Sequence, residues 1–290
     1  MFRQKNNKVL LPIVLFFILT GIVQTGAQPD AGNSELLDRT FEDFLRGADI
    51  DGLVSTLKRL NISFNQISDP AERYTDMAQL NFNLGLLEET NNNTDSALRY
   101  FEESRHYAER ALSHRASSEA YRILADAYTQ QMKYRGLSFQ IANGGKIKEY
   151  AESALDLDPD NAKAWLALAL YFFHAPPLAG GSVEKSIDIL HRLESDTGLH
   201  PLNRYGILIW LAVGYQHRED SRTAMGYLEE AFRLYPRNRW IDTLLRSHNL
   251  QQKKQARLSR REVLKSPLSP EQHQRHIHPP RPGARAQVPD

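Results

Sequence analysis

Apolar residues recur at helical spacing through most of the chain, and one arrangement of large, small and proline positions returns several times. The clearest copy begins at Leu208, where large apolar residues and a small one share one side of a predicted helix. A second helix carries Ala224, Leu228 and Ala231 on one side and stops at Pro236. Because small residues let two helices approach and large ones fill the gap, this pattern predicts a helix–turn–helix hairpin.

Three further copies of the pattern precede this hairpin. Their first helices are marked by Trp165, Tyr121 and Leu84. A single hairpin of this kind cannot bury its own apolar side, so several in series must stack on one another. The sequence therefore predicts an all-α fold without strands, built from about four repeats across residues 76–238.

The residues of these repeats resemble the tetratricopeptide repeat (TPR) family. In the last copy the family's large and small positions 4, 7, 8 and 11 are filled by Leu208, Leu211, Ala212 and Tyr215. The resemblance implies a helical solenoid that mediates protein–protein interaction and has no catalytic role.

A second resemblance lies in residues 157–165, which read LDPDNAKAW, and in Pro176, Pro177, Gly180 and Gly181 of the insertion that follows. Together they are similar to the T-component of bacterial TRAP-type transport systems. This resemblance implies a helical protein that works beside a periplasmic solute-binding protein. Lipid-tethered members need an N-terminal cysteine, which this chain lacks, so a soluble form with at most peripheral membrane contact is implied.

Residues 1–27 have the three parts of a secretory signal. Basic Arg3, Lys5 and Lys8 precede an apolar run over residues 9–23, and small residues follow it. The alternative is an uncleaved anchor, but a helix over that run spans about 22 Å, short of a hydrocarbon core of about 30 Å. We therefore expect an exported protein, periplasmic or extracellular, that is soluble after signal cleavage.

Helices are also expected on both sides of the repeats. In the N-terminal segment, residues 28–75, apolar spacing predicts helices at 34–45 and 52–60, the first with Ser34 as its N-cap. Residues 239–258 are predicted to form a closing helix that covers the apolar end of the last repeat.

Charge is divided unevenly along a chain whose formal net charge is +1. The segment after Leu250 holds nine basic and three acidic residues, and the first 27 residues are also basic, so the body of the chain, residues 28–250, is acidic. Residues 259–290 are also rich in proline and poor in large apolar residues, which predicts a disordered basic tail. The near-zero total gives no support to a nucleic-acid partner.

Candidate catalytic chemistry is sparse. Cysteine is absent, which excludes disulfides, thiolate metal sites and a cysteine nucleophile. The motifs H-E-x-x-H, G-x-S-x-G and G-x-G-x-x-G do not occur. His273, His276 and His278 fall in the predicted tail, where metal uptake would be adventitious. We expect no catalytic residue, no metal site and no cofactor.

In TPR arrays the first helix of each repeat lines the concave face, and positions 2, 5, 9 and 12 point into it. The resemblance therefore assigns a groove for a partner or ligand to residues of four predicted helices. They are Phe82, Leu86, Glu119, Arg122, Asp126, Lys163, Leu166, Leu170, Phe173, Ile209, Val213 and Gln216.

Three kinds of occupant suit this groove. The patch around Leu166, Leu170 and Ile209 is too apolar to stay bare, so a flanking helix of the chain itself would cover it. Otherwise the groove takes an apolar peptide or helix of another protein, or a small apolar or amphipathic ligand, with Arg122 and Lys163 as anchors for an anionic group. Acidic neighbours on the same helix could equally satisfy Arg122. The pattern is also compatible with an oligomer.

Two insertions interrupt the repeats. Residues 132–146 contain aromatic residues and a Gly-Gly pair, which predict a loop folded back on the array. The second insertion predicts a stiff turn or a contact loop, in which prolines end one helix and Ser182 caps the next. Its distinctive residues are Pro176, Pro177, Gly180 and Gly181.

Overall fold

The computed structural model describes residues 31–236. These residues form ten α-helices and one short 3-10 turn, and no β-strand occurs among them. All of them belong to one compact unit. The helices are α1 (Ala31–Leu45), α2 (Ile50–Phe64), α3 (Pro70–Thr90), α4 (Thr94–His114), α5 (Ser118–Tyr134), α6 (Leu137–Leu157), α7 (Ala162–His174), α8 (Val183–Glu194), α9 (Pro201–His217) and α10 (Ser221–Leu234).

Helices α3 to α10 form four successive hairpins. Helix α3 packs against α4, α5 against α6, α7 against α8 and α9 against α10, and each hairpin contacts the next. The first helices also contact one another in order, α3 with α5, α5 with α7 and α7 with α9. This arrangement is a TPR-like helical array, and the predicted all-α fold is confirmed. Helices α1 and α2 precede the array, and α2 packs against α3.

Small residues lie where the helices of a hairpin meet. Ala97 and Ala108 of α4 are buried, and the ring of Phe101 lies over Gly85 of α3. A Cβ added to Gly85 would come 2.7 Å from Phe101 Cδ1, closer than real Cβ atoms approach. The first hairpin therefore needs glycine at this position, because a phenylalanine ring occupies the space that a larger residue would fill.

The glycines of the array should divide into two classes on substitution by alanine. Gly85→Ala is expected to lower the free energy of unfolding by about 1–3 kcal/mol, because the added methyl group displaces Phe101. Gly226→Ala is its control, since Gly226 lies within α10 with open space around it. This change should raise the free energy of unfolding by about 0.5–1 kcal/mol through helix propensity. Urea denaturation measures both, and changes of the same sign would contradict the packing.

Most helices begin at a side chain that accepts a hydrogen bond from the first turn. Ser182 Oγ accepts from Lys185 N at 3.2 Å, so the predicted cap is confirmed. Pro70 and Pro201 occupy the first turns of α3 and α9. Proline costs nothing there, because N–H groups of the first turn have no acceptor within the helix. The capping residues are Asp49, Asp69, Ser117, Asn161, Ser182, His200 and Asp220.

The two N-terminal helices are longer than predicted. Helix α1 already includes Ala31, so Ser34 lies inside the helix and the prediction that it is the N-cap is wrong. A serine is tolerated in a helix interior at a small cost in propensity, which is why it does not mark the boundary. Helix α2 continues past residue 60 to Phe64, because its buried apolar side extends to that residue.

The loop predicted at residues 132–146 is also wrong. The segment consists of the end of α5, a two-residue connection and the beginning of α6, and Gly144 and Gly145 lie inside α6. A Cβ at either glycine would meet no atom within 4 Å. Glycine here lowers helix propensity by about 1 kcal/mol per residue without ending the helix.

The insertion between α7 and α8 is a closed turn. Pro177–Ala179 form a single 3-10 turn. Tyr171 Oη donates to the Ala179 carbonyl at 2.5 Å, and Ser182 N donates to the Phe172 carbonyl at 2.8 Å. These bonds fasten both sides of the turn to the end of α7, which is the geometry of a stiff turn.

Both glycines of this turn are required by its backbone. Gly180 has a φ of 85°, a conformation that favours glycine. Gly181 passes so close to the Ala175 carbonyl that a Cβ would overlap it. Leu178 is fully exposed at the tip of the turn. A role for this turn in contacting a partner stays a prediction.

Three predicted segments lie outside the described residues: the signal at 1–27, the closing helix at 239–258 and the tail at 259–290. Among the helices that the structure describes, none combines the length and the apolarity needed to cross a membrane. Within residues 31–236 no group of three or more histidine or acidic side chains is placed to hold a metal ion.

Candidate functional site

The predicted groove lies along α3, α5, α7 and α9. Its apolar floor is buried within the protein, and no residue of it exceeds 9% exposure. Phe173 and Gln216, toward the carboxyl ends of α7 and α9, are half-buried. The buried floor residues are Phe82, Leu86, Leu166, Leu170, Ile209 and Val213.

A group of ionisable side chains lies beside this floor, and we call it the charged cluster. Glu119, Arg122 and Asp126 come from α5, where spacings of three and four residues place them on one side of the helix. Lys163 comes from the first turn of α7 and Asp38 from α1. The structure thus brings together all four charged groove residues predicted from the sequence and adds one that was not.

Arg122 lies at the centre of the charged cluster and has no exposed surface. Its Nη1 donates to Asp126 Oδ2 at 2.7 Å, and its Nε donates to Glu119 Oε2 at 3.2 Å. Its Nη2 donates to Glu119 and to Gln79 of α3. Gln79 Nε2 in turn donates to Asn83 Oδ1 at 2.8 Å. The guanidinium therefore donates its hydrogen bonds to side chains of the protein itself. This is the alternative from the sequence in which acidic neighbours on the same helix satisfy Arg122.

Lys163 connects the cluster to α1. Its Nζ lies 3.7 Å from Glu119 Oε1 and 4.0 Å from Asp38 Oδ1. Asp38 is itself buried, and its Oδ2 has no hydrogen-bond partner. A buried carboxylate oxygen without a donor is costly, so this part of the cluster is less well matched than the part around Arg122.

Burial and charge shift the acidic residues of the cluster in different directions. Burial raises the pKa of Asp38 to about 7, against the lowering effect of Lys163. Burial also raises the pKa of Asp126 to about 6, although Arg122 opposes it. For Glu119 the effect of burial is outweighed by Arg122 and Lys163, which lower its pKa to about 2. Burial lowers the pKa of Lys163.

Asp38 should make stability fall as pH rises. The folded protein holds the Asp38 proton up to a pH near 7, whereas the unfolded chain releases it near the ordinary value of 3.8. The stabilisation is therefore complete below that lower value and is lost as pH rises through the folded pKa. Asp38→Asn has no such proton, so its stability should not show this loss. Between pH 5 and pH 8 the wild type should therefore lose about 1 kcal/mol or more of its free energy of unfolding relative to Asp38→Asn. Urea denaturation across that range measures the difference, and parallel curves would contradict this prediction.

Helix α1 lies on the groove side of the array. The Asn33 side chain donates to Asp76 Oδ2 at 3.2 Å, and Asn83 Nδ2 lies 3.5 Å from the Leu37 carbonyl, both contacts being to α3. Asp38 reaches α7 through Lys163, as described above. Along α1, the apolar residues Leu37, Phe41, Phe44 and Leu45 are buried in the same core cluster as the groove floor.

The carboxyl end of α1 reaches the last described hairpin. Tyr235 Oη donates to Glu42 Oε1 at 3.1 Å, and His200 Nε2 lies 3.8 Å from the same carboxylate oxygen. The Arg46 guanidinium lies 5.9 Å from the centre of the Tyr235 ring. Helix α1 therefore contacts residues of the first, third and fourth hairpins from one side.

A second group of side chains comes from the later parts of α3, α5, α7 and α9. The Phe173 ring meets the Trp210 and His217 rings edge-on, with centroids 5.7 Å apart in both pairs. Lys133 Nζ lies 2.5 Å from Glu89 Oε1, and burial lowers the pKa of Lys133 to about 7. Of these residues, Phe173 was among the predicted groove residues, and Glu89 occupies groove position 12 of the first repeat. Lys133, Trp210 and His217 fall one position away from the standard groove positions or beyond the last of them.

A family model and several solved TPR structures are similar to this chain. A family model described as Regulator of microtubule dynamics protein 1-3 matches residues 43–178. A thermophilic TPR protein of Thermus thermophilus, TTC0263, is similar to this chain with 14% sequence identity and a TM-score of 0.48, covering 75% of this chain and 98% of its own. None of the curated proteins matches the sequence.

Two further solved structures are similar to the chain. YrrB, described as a TPR protein with an unusual peptide-binding site, has 11% identity and a TM-score of 0.36, covering 73% of this chain and 96% of its own. A protein of Podospora anserina, described as a kinesin light chain with nearly identical TPR-like repeats, has 16% identity and a TM-score of 0.37. It covers 70% of this chain and 92% of its own.

Proposed function

We propose that this protein is an exported, non-catalytic scaffold that binds another protein through the groove side of its TPR-like array. One observation carries the proposal: an amphipathic helix, α1, is already seated on that side and reaches Asn83, Lys163 and Tyr235. An array that accepts a helix of its own chain has the shape and the mixture of apolar and charged groups needed to accept a helix of a partner.

A helical partner is favoured over a small apolar ligand, the alternative that the sequence left open. The floor residues Leu166, Leu170 and Ile209 are buried against protein. Arg122 is buried and already donates to Glu119, Asp126 and Gln79, so a small anion cannot reach it from solvent. A small ligand would have to displace protein from both, whereas a helix can replace α1 as a unit.

Site-specific photo-cross-linking tests the scaffold. A benzoylphenylalanine at Phe173, which is half-buried beside the groove floor, should cross-link a partner protein from an extract of the exported fraction. The matched control carries the same amino acid at Leu178, which is fully exposed on the turn between α7 and α8. Cross-links from the control alone, or none from either position, would contradict the proposal. Arg122 and Leu170 are not used as sites for the cross-linker, because both are buried. A substitution there would disturb folding, and its effect on partner binding could not be separated from that disturbance.

The TRAP-type role stays a finer proposal. It is supported by residues 157–165 and by the Pro-Pro-x-x-Gly-Gly turn, which is closed and stiff. The matching family model covers that turn only in part and carries a different description. The test is direct: a periplasmic solute-binding protein should be among the proteins cross-linked from Phe173, and its absence would remove this role while leaving the scaffold.

A second candidate function is the regulation of microtubule dynamics. The match of the family model over residues 43–178 favours it. Co-sedimentation of the purified full chain with microtubules tests it, with the same chain pelleted in the absence of microtubules as the control. An exported protein does not meet microtubules inside the cell, so export and this second function exclude one another. A reporter fused after residue 27, compared with the same fusion lacking residues 1–27, decides whether the chain is exported.

A further inference from the structure

Two of the polar contacts that hold helix α1 in the groove are long. In the groove, the Asn83–Leu37 contact is 3.5 Å and the Lys163–Asp38 contact is 4.0 Å. By comparison, Arg122 meets Asp126 at 2.7 Å. Asp38 Oδ2 is buried and has no partner. Helix α1 therefore leaves one of its own polar atoms unsatisfied in the groove, although its contacts at Asn33 and Glu42 have ordinary lengths of 3.2 and 3.1 Å.

The connection after α1 is suited to letting this helix move as a unit. Helix α1 ends at Leu45 and α2 begins at Ile50, and the short link contains Gly47 with a φ of 88°. A helix of this length is marginal in water by itself, so α1 is ordered mainly by its contacts with the array. Helix α2, which packs against α3, stays as the anchor.

We propose that the groove exchanges α1 for a helix of a partner protein with the same chemistry. That partner helix is amphipathic, with large apolar residues at positions i, i+4, i+7 and i+8, matching Leu37, Phe41, Phe44 and Leu45. It carries a carboxylate at i+1, matching Asp38, which faces Lys163. The inference rests on the proposed scaffold function and adds the kind of partner and the way in which access to the groove is controlled.

A partner helix must compete with a tethered one. Tethering gives α1 an effective concentration of about millimolar at the groove, so a free helix with the same contacts binds the wild-type protein weakly. A partner that places its carboxylate nearer to Lys163, or that satisfies both oxygens, gains contacts that Asp38 lacks. Such a partner displaces α1, and one without a carboxylate at this position does not.

A labelled peptide with the sequence of residues 31–46 is the probe. Its binding is measured by fluorescence anisotropy on the full chain and on a Phe41→Ser/Leu45→Ser variant, which weakens α1 and leaves the groove side unchanged. The peptide should bind the variant at least about 30-fold more tightly than wild type. A peptide with Leu37→Ser and Asp38→Ser should bind neither protein. Equal affinity of the first peptide for variant and wild type would overturn the inference.

A second variant of this protein fixes α1 in the groove. Asn33 and Asp76 are in hydrogen-bond contact, and the chain has no cysteine, so a short bis-maleimide with a reducible linker can join Asn33→Cys to Asp76→Cys within one chain. In the variant background above, the cross-linked pair should abolish peptide binding, and cleavage of the linker should restore it. Undiminished binding by the cross-linked protein would overturn the inference. So would a wild-type dimer made by swapped α1 helices, because the occupant would then be a second copy.

If the Phe41→Ser/Leu45→Ser variant does not fold, hydrogen exchange of the wild-type protein still tests whether α1 leaves the groove. Amides of α1 should exchange through local opening and be at least about tenfold less protected than those of α5. Protection of α1 equal to that of α5 would mean that α1 leaves only on global unfolding, which overturns the inference. If the peptide never enters the groove while Phe173 still cross-links a partner, the scaffold function stands and this inference alone fails.

Discussion

Replacing Arg122 with methionine is expected to lower the free energy of unfolding by about 3–5 kcal/mol, one of the two largest effects among our predictions. The methionine keeps most of the side-chain volume but removes every donor. Asp126 and Glu119 then lose their charge-assisted hydrogen bonds, and Gln79 loses its contact as well. The cost arises mainly because the buried Asp126 carboxylate is left without its partner. Urea or thermal unfolding followed by circular dichroism measures it.

Two further variants separate this explanation from a general effect of losing an arginine. Arg39→Met removes an arginine whose i,i+4 pair with Glu35 is exposed, and should cost less than about 0.5 kcal/mol. Arg122→Met combined with Asp126→Leu should recover part of the loss, because one of the orphaned carboxylates is removed with its partner. If the double variant is no more stable than Arg122→Met, the charged cluster is not the source of the effect.

Phe101→Ala is the other change expected to cost about 3–5 kcal/mol. Phe101 is fully buried between α3 and α4, with its ring centroid 5.7 Å from that of Phe82 and 6.2 Å from that of Tyr134. The ring also fills the space left by the missing side chain of Gly85. Removing it opens a cavity at the centre of the first hairpin, since neighbouring helices can close only part of the gap.

The same geometry predicts that the effect of Gly85→Ala changes sign with its background. In the wild type the new methyl group meets the Phe101 ring and destabilises the protein. In Phe101→Ala the methyl group enters the cavity and adds helix propensity, so it should stabilise by about 1 kcal/mol. A double-mutant cycle from four unfolding curves gives the coupling. Additive changes would show that Gly85 and Phe101 do not share this space.

Local periodicity was enough to predict the hairpins. The small and large positions around Leu208 and Ala224 define helices that pack against each other as expected, because those contacts lie within one repeat. The same register placed Glu119, Arg122 and Asp126 on one side of α5. Spacing along a single helix is fixed by its geometry, so their mutual contacts could be predicted without any knowledge of distant segments.

Asp38 could not be predicted as part of the site by such reasoning. Its contact with Lys163 joins segments far apart in the chain, and nothing in the local pattern around either residue indicates the other. The helical path through Gly144 and Gly145 was missed for a different reason. A Gly-Gly pair usually signals a turn, but the packing of α6 against α5 keeps the segment helical despite its low propensity.

The hydrogen bond between Tyr235 and Glu42 joins residues 193 positions apart and ties the beginning of the described chain to its end. Open helical arrays unfold from their terminal repeats inward, since each unit depends only on its neighbours. Helix α1 adds to this array a connection that does not run between neighbouring hairpins. A partner helix that displaces α1 would therefore also release Tyr235 and leave the last described hairpin without that support.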